Sequence, residues 1–269
     1  MVAAMCMQVV NNNYRLKFKA MKFVQLIILA SSLGLSIQSI GQDQGSKASS
    51  KPYTLRLVPQ IHSTGYFPYG GSYLTYHPTM DAQIFFQKGN TGVFVFKSVD
   101  LVDHSVNTNY ASIGIVHTIK LSESLEFIPF AGYFLAQVES FKDQSSDAWA
   151  AVDLKKRVNK NLVLVNTSMM GNIAQRAHSL SMTNRLKLNY TLRSFTVDMF
   201  VWYSQAIDQQ RGYTSASLGI TAPSIAINPS VKLKFHSAYQ QYISQEHPGS
   251  AMKRGVLISM SAPIDLSRK

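Results

Sequence analysis

From residue 53 to residue 264, apolar and polar side chains alternate with a period of two in runs of about ten residues, the pattern of strands with two unlike faces. The clearest run is His178 to Tyr190. Leu180, Met182, Leu186, Leu188 and Tyr190 fall on one side of it, and Ser179, Ser181, Thr183, Arg185, Lys187 and Asn189 on the other. Phe195 to Tyr203 repeats the pattern with Phe195, Val197, Met199 and Val201 together, although Phe200 and Trp202 make its other side only partly polar. In Ser230 to Tyr242, Val231, Leu233, Phe235 and Tyr239 oppose Lys232, Lys234, His236 and Gln240. Runs of this length suit a wall with lipid on one side and a wet lumen on the other.

The pattern predicts strands near 53–62, 79–88, 91–101, 106–120, 125–139, 148–158, 161–171, 178–190, 195–206, 213–222, 230–242 and 254–264. Tight connections such as Gly89-Asn90, Leu121 to Ser124, Asn159-Lys160, Thr191 to Ser194 and Pro223 to Pro229 alternate with longer ones. The longer ones are Ser63 to Pro78, Ser140 to Asp147, Asn172 to Ala177 and Ile243 to Lys253. Short turns on one side and loops on the other are the arrangement of an outer-membrane barrel, and an even strand count leaves both termini in the periplasm. The expected fold is all-β: a single transmembrane antiparallel up-and-down β-barrel of about twelve strands. Asp103 to Ser105 is short for an outside loop, so the count becomes ten if that connection is misread.

In strand style, and in hairpin segments such as Phe127-Ile128-Pro129-Phe130-Ala131-Gly132-Tyr133 and Gly255-Val256-Leu257-Ile258-Ser259-Met260, the chain resembles the small outer-membrane barrels, among them the uncharacterised ones of Bacteroidota. The resemblance covers nearly all of the chain after its leader and rests on pattern. It departs at the end, Asp265-Leu266-Ser267-Arg268-Lys269, where many such barrels finish on an aromatic residue. It implies residence in the outer membrane, contact with outer-membrane lipid, and passage through the barrel-assembly machinery.

Export is written separately into the N-terminal part. Lys22 is a positive n-region, Phe23 to Leu35 an apolar h-region, and Ser39-Ile40-Gly41 offers small residues for cleavage before Gln42. The apolar run falls short of the roughly 20 residues that a spanning helix needs. Residues 1–41 are expected to be a signal peptide, with Met21 as the alternative start. Residues 42–52 read as a flexible periplasmic leader, and 53–269 as the barrel. Cys6 is the sole cysteine and lies in the removed part, so disulfides, thiolate metal sites and cysteine nucleophiles are not expected. Without residues 1–41, which hold four basic and no acidic residues, 26 Lys+Arg against 14 Asp+Glu become 22 against 14, a net charge of about +8. Charged residues are 15% of the chain, against about 25% in soluble domains, as expected of a surface that meets lipid.

Inward basic residues are the most specific polar feature. Lys155 and Arg157 lead into one short turn, Arg185 and Lys187 into another, and Lys232 and Lys234 leave a third. Together they would form a basic collar at one end of the lumen that favours anions. The competing reading is that they pair with Asp153, Asp198 or other acids and fill a closed interior. Tyr66, Phe67, Tyr69, Tyr73 and Tyr76 make a possible surface aromatic patch for a sugar or protein partner, or else belong to the aromatic girdle. The seven histidines lack the short spacing of a metal site, and no cofactor or nucleic-acid motif is found. His62-Ser63, His178-Ser179 and His236-Ser237 are adjacent pairs, whose side chains point to opposite faces of a strand, and no orienting acid can be placed beside them. The leading function is therefore passive solute passage, or a structural or binding role in the envelope. A lipid-modifying or lipolytic enzyme and a soluble secreted β-sandwich are the alternatives.

Overall fold

The computed structural model describes residues 53–67, 71–102, 109–135, 146–174, 180–207, 211–228, 231–244 and 253–267. The signal peptide, the leader and Tyr69 lie outside them. Twelve long strands follow in chain order: β1 (Tyr53–His62), β2 (Thr79–Lys88), β3 (Thr91–Asp100), β4 (Ala111–His117), β5 (Leu125–Leu135) and β6 (Asp147–Arg157), then β7 (Leu162–Gly171), β8 (Ser181–Leu192), β9 (Phe195–Ala206), β10 (Arg211–Thr221), β11 (Val231–Tyr242) and β12 (Arg254–Ser261). Ile119–Lys120, Ile225–Asn228 and Ile264–Asp265 continue β4, β10 and β12 after short breaks. Two of these breaks contain a proline, Pro223 or Pro263, which has no N–H to give to a ladder.

Every strand pairs antiparallel with its chain neighbours, and β1 pairs with β12 through Gln60↔Ser261, Ile61↔Met260 and His62↔Ser259. The sheet is thus a closed ring with no free edge, which removes the liability of unpaired backbone groups. This closure excludes the two-sheet sandwich and settles the strand count at twelve rather than ten. Gly89 (φ 60°) and Arg193 (φ 54°) sit in the tight turns at one end, where the first and last described segments also meet, Leu55 N–H donating to Ser267 Oγ at 3.1 Å.

Cross-strand partners share a face, so the register sorts every position. The outward set is apolar and exposed, with Ile84, Val95, Ile115, Leu186, Leu218 and Ile258 among it. A continuous apolar surface of this kind needs a lipid solvent. Ser168 and Asn184 also face outward and satisfy each other at 3.0 Å. The inward set is mixed, and it is described next.

Candidate functional site

A twelve-stranded ring is wider than the eight-stranded barrels whose side chains fill the interior and narrower than open porins, so the inward side chains decide what the lumen does. They divide into a basic arc, an aromatic wall, a set of histidine–aspartate pairs and an inserted hairpin.

Lys155, Arg157, Arg185, Lys187, Lys232 and Lys234 all project inward, towards the end with the tight turns. The structure brings four of them together. Lys155 on β6 and Lys187 on β8 flank Val165 of β7 in a single register row, with Arg157 and Arg185 one inward position away. Lys232 and Lys234 stand apart on β11, three strands further round, and are exposed. Lys155 pairs with Glu126 at 2.9 Å, so that part of its charge is met. Arg185 donates to Thr167 Oγ1 at 3.0 Å, and the Phe200 ring lies under both Lys187 (4.8 Å) and Arg185 (5.9 Å). Asp153 sits in register beside Thr167, and one of its oxygens has no hydrogen-bond partner among the described residues. Asp198, the other acid expected to neutralise this group, stands one inward row from Lys187 and is paired with His236 of β11.

Adjoining the arc, strands β2 to β6 line the lumen with aromatics. Trp149 packs on Phe94 (6.0 Å) and edge-on to Phe130 (5.7 Å), while Tyr110 bridges Phe96 (5.6 Å) and Phe134 (5.1 Å). Gly114 makes this packing possible: a Cβ there would fall 2.6 Å from the Phe94 ring and 2.8 Å from the Ala131 carbonyl. The sequence signal was present, since Phe94, Phe96, Phe130 and Phe134 sit at inward alternation positions, but an aromatic on either face satisfies a two-period pattern.

Towards the loop end the lumen carries histidine–aspartate pairs: His62 Nε2 lies 3.1 Å from Asp81 and His77 Nδ1 lies 3.3 Å from Asp100. A third pair, His236 Nε2 at 3.2 Å from Asp198, lies nearer the turn end on β11 and β9. His62 also contacts Ser259 Oγ through Nδ1 at 2.7 Å, and Ser98 donates to the second Asp81 oxygen at 2.6 Å. No three His, Cys, Asp or Glu side chains among the described residues converge as a metal site. The adjacent pairs His62-Ser63 and His236-Ser237 do split across the wall. The hydroxyl that meets His62 comes from a residue 197 positions later, a partnership that only ring closure reveals.

The loop between β1 and β2 folds back into the mouth as a hairpin, Gly65–Phe67 with Ser72–Thr75. The Gly71 carbonyl accepts from Ser215 Oγ at 3.0 Å and from the Gln240 amide, both lumenal groups. Gly71 has φ +63° and lies against the indole of Trp202, so a Cβ has neither the space nor the conformation it needs. Tyr73 is 1% exposed and donates to the Gly255 carbonyl at 2.9 Å. Burial, followed by the proximity of Tyr242 and Tyr239, pushes its hydroxyl up to about 12. Tyr73 is therefore a lumenal anchor and does not share an outer patch with Tyr76, which is exposed.

No family model and no curated protein matches the chain. Solved structures do match. The KdgM porin aligns with a TM-score of 0.52 at 7% identity, covering 78% of this chain and 98% of that one. The NanC porin aligns at 0.52 and 9%, covering 79% and 100%. An outer-membrane channel from Pseudomonas putida F1 aligns at 0.51 and 9%, covering 83% and 100%. At such identities the likeness is one of architecture: this chain has the closed antiparallel barrel of outer-membrane porins and channels.

Proposed function

We propose that the protein is an outer-membrane channel for passive solute passage, with a lumen that prefers anions. The observation that carries this reading is the inward placement of Lys155, Arg157, Arg185 and Lys187 in one arc near the turn end. Fixed cations in a narrow, low-dielectric passage raise the local concentration of anions and lower the barrier to their entry. A solved porin of this architecture has been recorded in complex with oligogalacturonate, an acidic polymer, which supports an anionic solute class here. The outward apolar surface would face outer-membrane lipid, and insertion would run through the barrel-assembly machinery. The lipolytic alternative has no support in the geometry, because the histidine–hydroxyl contact at His62 faces the lumen and not the bilayer.

The test is conductance of the purified barrel in a planar bilayer under a salt gradient. A reversal potential of the sign set by anion permeation is expected. Absence of conductance from heat-modifiable, folded protein would sink the proposal.

A further inference from the structure

A serine hydroxyl is a weak nucleophile until a neighbouring base takes its proton, and that base must be held in one tautomer by a third group. The closing seam supplies all three from consecutive strands of the ring: Ser259 on β12, His62 on β1 and Asp81 on β2. His62 Nδ1 is 2.7 Å from Ser259 Oγ, and its Nε2 is 3.1 Å from Asp81 Oδ2. An ionised carboxylate only accepts, so Nε2 carries the hydrogen and Nδ1 turns its lone pair to the Ser259 hydroxyl. Ser98 fixes the carboxylate from the far side at 2.6 Å. The two ring nitrogens exchange roles relative to the chymotrypsin arrangement, but the order of nucleophile, base and orienter is the same.

We propose that Ser259, His62 and Asp81 form a lumenal esterase centre that hydrolyses short-chain carboxylic esters entering the barrel. Membrane lipid cannot reach it, since all three side chains project inward, and the substrate is therefore a solute. The next inward residue below Ser98 is Phe96, and Phe94 follows, so a planar aryl leaving group has a surface to rest on. On the other side of Ser259, β11 sets His236 as its register partner and Lys234 as the partner of Ser261. The Lys234 ammonium is the N–H donor on the strand beside the developing oxyanion, the His236 N–H being directed to Asp198.

In the first step Ser259 Oγ bonds to the ester carbonyl carbon while its proton passes to His62 Nδ1. The C–O bond to the alcohol then breaks, and the departing oxygen takes that proton, leaving acyl-Ser259. Water, deprotonated by the same nitrogen, attacks the acyl carbon, the carboxylic acid leaves, and the proton returns to Ser259. Asp81 and Ser98 are positioning residues that hold the imidazole and do not touch substrate.

The test treats the purified, detergent-folded protein with a fluorophosphonate probe and locates the adduct by mass spectrometry. An adduct on Ser259 is expected, absent in S259A and H62N and retained in S261A, with the fold of each checked by its heat-dependent gel mobility. With p-nitrophenyl acetate, D81N should lower kcat on the order of 10³–10⁴-fold while KM stays within about twofold, and D81E should recover part of the rate. The adduct site in the wild type is read without any variant, so a variant that fails to fold leaves the test intact. Folded wild type with no adduct at Ser259, or equal labelling of folded H62N, overturns the proposal.

Discussion

His62 Nδ1 on the first strand and Ser259 Oγ on the last lie 2.7 Å apart, directly opposite each other across the seam that closes the barrel. The same imidazole reaches on to Asp81 of β2, so a hydrogen-bonded chain crosses three strands where the two halves of the sequence meet. His62 and Asp81 are both largely buried. Removing the ring leaves a hydroxyl and a carboxylate short of a partner, at a cost of about 1–3 kcal/mol. His62→Ala should therefore lower the urea midpoint of the folded, fast-migrating band, and His77→Ala should do so less because its ring is more exposed. Equal midpoints for wild type and His62→Ala would remove the seam from the stability account.

The aromatic wall makes a second prediction. Gly114→Ala places a methyl group against the Phe94 ring and the backbone of Ala131, and the backbone contact cannot yield. Overpacking of this kind costs about 1–3 kcal/mol. Gly89→Ala meets no atom within 4 Å and pays only for its φ of 60°, so it should cost less. Denaturant titration of the two variants checks the order.

The inserted hairpin should narrow the mouth. Gly71→Val can keep neither φ +63° nor the approach to Trp202, so the hairpin leaves its anchors on Ser215 and Gln240. Single-channel conductance should rise in that variant while ion preference is unchanged, because the basic arc lies on other strands. Unchanged conductance would show that the hairpin does not limit flow.

The Tyr73 hydroxyl gives that constriction a pH dependence. Its value is raised from 10.0 to about 12, so the docked hairpin holds the neutral phenol. Below pH 10 docked and released forms are both neutral, and docking does not depend on pH. Between about 10 and 12 the released phenol ionises and the docked one does not, so docking weakens as pH rises. Conductance should be flat from pH 7 to 9 and increase above 10, and Tyr73→Phe should abolish the increase.

The strand framework was legible because period-two alternation follows directly from a wall with unlike faces. Leu186, Leu188, Arg185 and Lys187 fall on the sides that their order in the sequence required. The six basic residues were likewise found inward, because parity within a strand is a local property. What spacing could not show was which strands stand side by side around the ring. Lys232 and Lys234 read as part of one collar with the other four, yet they stand three strands away from β8. Ser259 and His62 are sequence-distant and become neighbours only when β12 closes on β1. Tyr73 looked like a surface aromatic because loop residues carry no periodicity to say whether a hairpin turns outward or into the mouth.

The central claim, an anion-preferring passage, is tested most directly by the reversal potential of the barrel in a planar bilayer under a tenfold KCl gradient (roughly 59 mV at full selectivity for a single charge). Anion preference is expected for the wild type, a shift towards cations for Lys187→Glu with Arg157→Glu, and a shift towards anions for Asp153→Asn, which removes the acid inside the arc. A wild-type reversal potential of the cation-selective sign, or one unmoved by these substitutions, would contradict the account.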